Sequence, residues 1–118
     1  MTAGFSILIP CWNSRKLLEA NLPSIREAMQ RLNVPGELII IDDASTDGTG
    51  EWLSGEHSWA KVLKHDRNRG FSAAMRTGMA AVQHSIVYLL NSDVQVEPDV
   101  FASLVPHFEN PDVFAVAS

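Results

Sequence analysis

The sequence has little cysteine and little positive charge, and it has no long apolar run. Cys11 is the only cysteine, which excludes an internal disulfide and a cysteine-rich zinc site. The 9 Lys and Arg residues of the sequence are outnumbered by 14 Asp and Glu residues, and this balance argues against a general nucleic-acid binder. No apolar stretch approaches the roughly 20 residues that a membrane helix needs, and no signal-peptide pattern opens the sequence. We therefore expect a cytoplasmic protein.

Several ligand-binding patterns are missing as well. The first predicted strand runs into "PCWNSRK", without the G-x-G-x-x-G that follows the first strand of dinucleotide-binding domains. The glycine spacing and Lys-Ser/Thr pair of a phosphate-binding loop are also lacking. The histidines show no metal-ligand spacing, and we interpret each as solvent-facing or locally bonded. They are His57, His65, His84 and His107.

Strand and helix patterns alternate along the chain, whose 118 residues suffice for a single domain, 1–118. Strands are predicted at 5–12, 37–42, 60–65, 85–90 and 112–118. This order predicts an α/β fold, a three-layer sandwich with a mostly parallel sheet. Pro23 lies within the first helical pattern and predicts a kink or a split there. The last strand has no continuation, so the chain looks incomplete, and an unpaired sheet edge predicts self-association.

Polar clusters follow three of the strands: "PCWN", "DDAS" and "NSD". Ligands of parallel α/β sheets bind beyond the carboxyl ends of the strands, so these clusters are expected to meet at one rim. Asp42 is expected to brace loop backbone. Asp43 is either a cap or an exposed carboxylate that accepts hydrogen bonds from a base or a ribose. Trp12 either stacks on a base or packs in the core.

Asp93, at the end of "NSD", is the strongest candidate for a metal ligand. Carboxylate oxygens suit Mg²⁺ or Mn²⁺, which also bind phosphate oxygens. A carboxylate about 4 Å from one phosphate charge costs about 4 kcal/mol at an effective dielectric near 20. A diphosphate beside Asp93 therefore requires a divalent cation between them. The alternative is that Asp93 caps the helix that follows.

Four segments together closely resemble the N-terminal half of family 2 glycosyltransferases, in order and in spacing. They are "FSILIPCWNSRKLLEANLPSI", "ELIIIDDASTDGT", "NRGFSAAMRTG" and "VYLLNSDVQVEPD", and they cover nearly all of the chain. The resemblance implies a Rossmann-like GT-A fold that binds a nucleotide-diphospho-sugar donor. It also implies transfer, usually with inversion, to a glycan or lipid-linked acceptor in cell-surface polysaccharide biosynthesis. The full-length enzyme would then work in the cytoplasm, at the inner face of the membrane.

The resemblance also implies roles for individual residues. The donor-binding positions are Pro10, Trp12, Asn13, Asp43, Asn68, Gly70 and Ser92, and Asp93 is the metal position for Mg²⁺ or Mn²⁺. Asn91 replaces the first carboxylate of a D-x-D motif, so metal binding depends mainly on Asp93. Arg76 stands where the family often has Asn, which leaves the role of its helix open.

The family's catalytic base is an Asp or Glu further along the chain, together with most of the acceptor site. We therefore assign no base here, expect the acceptor-binding part to be absent, and expect this chain alone to be inactive. A non-catalytic nucleotide-binding or interaction module is the alternative. A receiver-like phosphoacceptor domain is disfavoured, because it needs an acidic pair after its first strand.

Overall fold

The computed structural model describes residues 4–110, in which strands and helices alternate. The strands are β1 (Phe5–Cys11), β2 (Gly36–Asp42), β3 (Lys61–Lys64) and β4 (Ile86–Leu89). The helices are α1 (Arg15–Gln30), α2 (Thr49–Glu56), α3 (Phe71–Ala81) and α4 (Val100–Leu104), followed by a 3₁₀ helix (Val105–Glu109). The predicted fifth strand, 112–118, lies outside the described residues.

The four described strands form one parallel sheet in the order β3-β2-β1-β4. β1 and β2 are in register from Phe5 opposite Gly36 to Cys11 opposite Asp42. Their carboxyl ends therefore lie side by side, and the chain leaves both strands at the same edge. The prediction of a mostly parallel α/β sheet is confirmed.

Helices cover both faces of the sheet, because the two central strands are apolar on both sides. Side chains from α1, α2 and α4 pack on one face, with Phe5, Ile7 and Ile40 at its centre. α3 packs on the other face against Leu8 and Ile41. Full burial of one such side chain contributes about 1.5–3 kcal/mol, so these two clusters provide most of the stabilisation of the three layers.

Gly78 allows α3 to approach the sheet closely. A Cβ at this position would lie 2.8 Å from Ile41 Cδ1 and 3.2 Å from Leu8 Cδ1, so any larger residue would force the helix or these side chains to move.

Pro23 does not split α1, which continues through it as one helix of 16 residues. Of the two expected outcomes, a kink or a split, the split was wrong and the kink stays a prediction. Proline inside a helix costs about 3 kcal/mol. Leu22 and Ile25 lie close to Pro23 and are almost completely buried, and their burial is worth at least as much. Packing against the sheet therefore offsets the cost of Pro23 within the helix.

The later helices start at the cleft side of the sheet or shortly after it, and α3 leaves two large side chains exposed. Phe71 and Met79 of α3 are 63% and 49% exposed. Gly70 occupies the N-cap position of α3, with a positive φ of 90° that favours glycine. α4 begins at Val100 with Asp99 at its N-cap.

Candidate functional site

An open cleft of about 420 Å³ lies at the carboxyl ends of β1, β2 and β4. Its lining residues come from the end of β1, from the segments that follow the strands, and from the first turns of α1 and α3. They are Pro10, Cys11, Trp12, Leu17, Asp43, Asn68, Gly70, Phe71, Ala74, Asn91, Ser92 and Asp93. The structure therefore brings together every predicted site residue except Asn13, and the predicted common rim is confirmed.

Asp43 lies in the wall of the cleft and is held by the β3–α3 loop. Its carboxylate is close to His65 Nδ1 (2.7 Å) and accepts hydrogen bonds from the N–H groups of Arg69 (2.8 Å) and Gly70 (2.8 Å). The residue is only 5% exposed, so the expectation of an exposed carboxylate was wrong. The turn after β2 directs this side chain towards the loop and away from solvent.

These contacts fix the charge of Asp43. Burial alone raises the pKa of this carboxyl, but hydrogen bonds from Arg69, His65 and Gly70 outweigh it and hold the pKa below its ordinary value. A carboxylate offers about four acceptor positions, of which three are used. One position remains for a donor in the cleft.

His65 is a component of the site that the sequence analysis missed. Its side chain is 5% exposed, and its Nε2 lies 2.8 Å from Thr77 Oγ1 in α3. It therefore links Asp43 to α3, and our interpretation of this histidine as solvent-facing or locally bonded was wrong. His65 directly follows β3, so the strand-end rule that we used for the other three strands would have found it.

Asn13 is not among the residues that line the cleft, and it holds the loop after β2. Its backbone N–H donates to Ser45 Oγ (2.9 Å), and its Oδ1 accepts from the N–H of Thr46 (2.7 Å). The expected place of Asn13 around a base stays a prediction. Asp42 accepts from the N–H of Ser45 (2.9 Å), which confirms that it braces this loop.

Asp47 fixes the starts of two helices. It accepts hydrogen bonds from the N–H of Arg15 (3.2 Å) at the start of α1 and from the N–H of Thr49 (3.1 Å) at the start of α2. Burial raises the pKa of Asp47, but these bonds and one from the Thr49 hydroxyl lower it overall. Ser14 occupies the N-cap of α1, and its hydroxyl donates to Trp12 O.

Trp12 and Phe71 provide an exposed aromatic surface at the cleft. Their exposed fractions are 54% and 63%, and Leu17 beside them is 45% exposed. The alternative that Trp12 packs in the core is therefore wrong. Large apolar side chains that remain exposed in a concave site are typical of ligand contacts, and flat rings suit a flat ligand such as a nucleobase.

Asp93 follows β4, and β1 separates it in the sheet order from the buried Asp42 and Asp43 at the end of β2. The environment of Asp93 is open. The residue is exposed, and its carboxylate has no hydrogen bond or ion pair within residues 4–110. In the same range, no three His, Cys, Asp or Glu side chains are grouped closely enough to hold a metal ion.

This donor set fits a magnesium-type site that is completed by a ligand. Mg²⁺ usually takes one or two carboxylates together with substrate phosphates and water, and a dedicated protein cage is uncommon. Asp93 supplies one carboxylate, and Asn91 and Ser92 place neutral oxygens beside it in the cleft. The arrangement suits a cation that arrives with phosphate oxygens.

Cys11 lies in the cleft but is not suited to nucleophilic chemistry. The side chain is 5% exposed. Burial, followed by the charges of Asp42, Asp47 and Asp43, raises its thiol pKa to about 12. The thiolate, which is the reactive form, is therefore scarce at neutral pH.

The doubly wound sheet and its acidic, aromatic rim define a Rossmann-like α/β protein with GT-A architecture. More specifically, the chain belongs to the glycosyl transferase family 2, whose model matches residues 6–118. The sequence resemblance to this family is thereby confirmed.

Similar proteins include two curated transferases. The dolichol-phosphate mannosyltransferase of Pyrococcus furiosus is 30% identical over 116 residues, which is 96% of this chain and 32% of that protein. The undecaprenyl-phosphate 4-deoxy-4-formamido-L-arabinose transferase of Serratia proteamaculans is 30% identical over 104 residues, which is 85% of this chain and 32% of that protein. The chain thus spans about a third of the length of these relatives.

Solved structures agree on the fold. The mannosyltransferase PcManGT of Pyrobaculum calidifontis, solved with GDP-Man and Mn²⁺, has a TM-score of 0.80 at 24% identity over 96% of this chain and 34% of that chain. TarS 1-349 of S. aureus, solved with UDP-GlcNAc, has a TM-score of 0.77 at 20% identity over 90% of this chain and 31% of that chain. Among the helices of residues 4–110, none has the length and apolar character needed to cross a membrane.

Proposed function

We propose that this chain is the donor-binding half of an inverting glycosyltransferase that moves a sugar from a nucleotide-diphospho-sugar to a glycan or lipid-linked acceptor. The observation that supports it best is the single cleft that unites Trp12, Asp43 and Asp93. Trp12 supplies an exposed flat ring, Asp43 supplies one remaining acceptor position, and Asp93 supplies an exposed carboxylate. Membership of the family makes a transferase the first choice among the proteins that could use such a cleft.

In this proposal the nucleoside lies at the aromatic and buried-acid side of the cleft. Trp12 stacks on the base, and Asp43 accepts one hydrogen bond from the base or the ribose at its remaining position. Pro10, Asn68 and Gly70 line the space around the nucleoside. Asp43 is ionised at neutral pH because its pKa is lowered, so it accepts hydrogen bonds and donates none.

The diphosphate lies at the other side, near Ser92 and Asp93. A carboxylate beside a phosphate charge costs about 4 kcal/mol at about 4 Å and an effective dielectric near 20, so binding there requires a cation. A bound Mg²⁺ or Mn²⁺ would supply charge neutralisation for the departing diphosphate. Asp93 would hold that cation, and Asn91 and Ser92 would contact it or its water.

The relatives support the choice of substrates. PcManGT was solved with GDP-Man and Mn²⁺, and TarS 1-349 with UDP-GlcNAc. The names of the curated relatives refer to dolichol phosphate and undecaprenyl phosphate. We infer a similar nucleotide-sugar donor and a lipid-linked acceptor for the full-length protein, which would work in the cytoplasm at the inner face of the membrane.

No residue of this chain is assigned as the catalytic base. Inversion requires a base that removes the proton of the acceptor hydroxyl during attack, and Cys11 is excluded by its raised pKa. We propose that an acidic residue further along the full-length protein has this role, so that this chain alone binds the donor without turnover. Self-association of the isolated chain stays a prediction.

Calorimetry with UDP, GDP and dTDP, each with and without Mn²⁺, tests the proposal. We expect one of the three to bind, and to bind more tightly when Mn²⁺ is present. Absence of binding by all three in both conditions would disprove the donor-binding role. If the full-length protein bound its nucleotide-sugar but transferred no sugar to lipid-linked or glycan acceptors, the non-catalytic module would be the better interpretation.

A further inference from the structure

The backbone next to Asp93 is fixed to α1, although the Asp93 side chain has no hydrogen bond or ion pair with the described residues 4–110. The side-chain amide of Asn21 donates a hydrogen bond to the backbone oxygen of Ser92 (2.9 Å), across 71 positions of sequence. Ser92 directly precedes Asp93, so the peptide that carries the candidate metal ligand is held by α1.

Two further hydrogen bonds join the same helix to the same loop. Ser92 Oγ donates to Ser14 Oγ at the N-cap of α1 (3.2 Å), and the backbone N–H of Val96 donates to Ser24 Oγ (3.2 Å). α1 therefore contacts the loop on both sides of Asp93. Since α1 is itself packed on the sheet, these bonds connect the loop to the most rigid part of the fold.

Packing does not explain the presence of Asn21. The residue is 8% exposed, and its neighbours Leu18, Leu22 and Ile25 form the apolar stripe of α1. A leucine would continue that stripe and has a higher helix propensity than asparagine. A buried amide costs free energy unless it is hydrogen-bonded, and the partner that it has here is Ser92 O.

We propose that Asn21 is a positioning residue for Asp93, and that it sets how tightly the site holds a divalent cation together with a diphosphate. This inference rests on the proposed donor-binding function. Asn21 acts through the backbone of Ser92 and does not touch the ligand. Partners that orient a metal ligand change metal affinity by about 10- to 100-fold when they are removed.

The test replaces Asn21 by leucine, which has a similar size and lacks the donor. Calorimetry with UDP, GDP or dTDP, whichever the wild-type chain binds most tightly, is performed with and without Mn²⁺. We expect Asn21→Leu to weaken the Mn²⁺-dependent affinity by about 10-fold. The affinity for the corresponding nucleoside without metal should stay at the wild-type value, because the Trp12 and Asp43 side of the cleft is untouched.

A double-mutant cycle with Asp93→Ala separates positioning from a general structural effect. If Asn21 acts through Asp93, Asn21→Leu has no further effect on diphosphate affinity once Asp93 is alanine. Gln30→Ala, at the exposed last residue of α1, is the control and should leave both affinities unchanged. Thermal unfolding of each variant verifies that the binding measurements are made on folded protein.

If Asn21→Leu does not fold, Asn21→Ser provides the same test, because serine is too short to reach Ser92 O. Two outcomes would disprove the positioning role and leave the proposed function intact. In the first, the Asn21 variant loses nucleoside and diphosphate affinity equally. In the second, the Asn21 variant keeps its diphosphate affinity while Asp93→Ala loses it strongly. Absence of Mn²⁺-dependent nucleotide binding by the wild-type chain would disprove the proposed metal site and this inference with it.

Discussion

The acidic residues at the ends of β2 and β4 have the same side chain and opposite environments. Asp43 is 5% exposed and is held by His65 and two backbone N–H groups. Asp93 is exposed, and its carboxylate has no hydrogen bond or ion pair among residues 4–110. Both line one cleft, so two carboxylates of the same cleft differ in burial and in hydrogen bonding.

In the proposed function, this contrast separates recognition of the nucleoside by Asp43 from neutralisation of the diphosphate charge at Asp93. A carboxylate whose position and charge are fixed can discriminate between hydrogen-bond donors, because it cannot rearrange to suit a different ligand. A carboxylate without protein partners keeps its oxygens available for a cation and can adjust to octahedral geometry. In Asp93 the backbone is fixed while the carboxylate is not, and in Asp43 both are fixed.

Replacing each aspartate by alanine should give the largest contrast in stability. Asp43→Ala removes the acceptor of His65 and of two backbone N–H groups, and we expect a loss of about 3 kcal/mol in the free energy of unfolding. Asp93→Ala should change it by less than about 0.5 kcal/mol, as is usual for an exposed residue without partners. Urea unfolding measures both, and equal losses would contradict the comparison.

Mn²⁺-dependent nucleotide affinity should show the reverse order, with the larger loss in the Asp93 variant. Asp93→Ala is expected to weaken Mn²⁺-dependent diphosphate binding by at least about 100-fold, since loss of a ligand exceeds loss of a residue that orients it. Asp99→Ala is the matched control: this aspartate is exposed, does not line the cleft, and makes no side-chain cap bond at α4. An Asp93 variant that keeps its Mn²⁺ dependence would exclude this residue from the metal site.

The aromatic side of the cleft should give a smaller effect that does not depend on metal. Trp12→Ala is expected to weaken nucleoside binding about 10-fold, which is within the roughly 1–3 kcal/mol that stacking on a base contributes. Trp12→Phe keeps a ring and should retain most of the affinity. Fluorescence titration with the nucleoside checks both variants, and a loss that appeared only with Mn²⁺ would contradict the assigned stacking role.

The smallest effect concerns stability at acid pH. The folded pKa of Asp43 lies below its unfolded value, which is about 3.9. The folded state therefore binds fewer protons than the unfolded state, and this contribution is complete above the unfolded pKa and is lost as the pH falls through the folded pKa. Urea unfolding at several pH values below about 5 should show a shallower pH dependence for Asp43→Asn than for the wild type. Asp47, whose pKa is also lowered, should preserve part of the pH dependence in this variant. Identical pH dependence in the variant and the wild type would contradict the contribution assigned to Asp43.

The sequence predicts the fold and the location of the cleft because both depend on local patterns. Apolar runs such as Leu38–Ile41 identify buried strands, and parallel strands place their polar ends at one edge. The cleft contains Trp12 and Asp93 as predicted, because both lie in segments that follow a strand.

The hydrogen-bond partners could not be predicted in the same way, because they depend on contacts between distant segments. His65 meets Asp43 across 22 positions and Asn13 meets Thr46 across 33 positions, and no local pattern records such pairs. The exposure of Asp43 was misjudged for the same reason: two of its three donors are backbone N–H groups of a loop, which carry no side-chain signature. The continuous helix at Pro23 depends likewise on packing against the sheet.

The close packing of α3 against the sheet has a consequence for how the cleft can vary among related sequences. Gly78, which allows this packing, lies eight residues after Gly70, a separation of about 12 Å along a helix. The N–H of Gly70 is a donor to Asp43, and Phe71 at the first turn lines the cleft. A larger residue at position 78 that moved α3, and not only the side chains of Ile41 and Leu8, would shift the Gly70 N–H and the Phe71 ring together, although position 78 itself does not line the cleft.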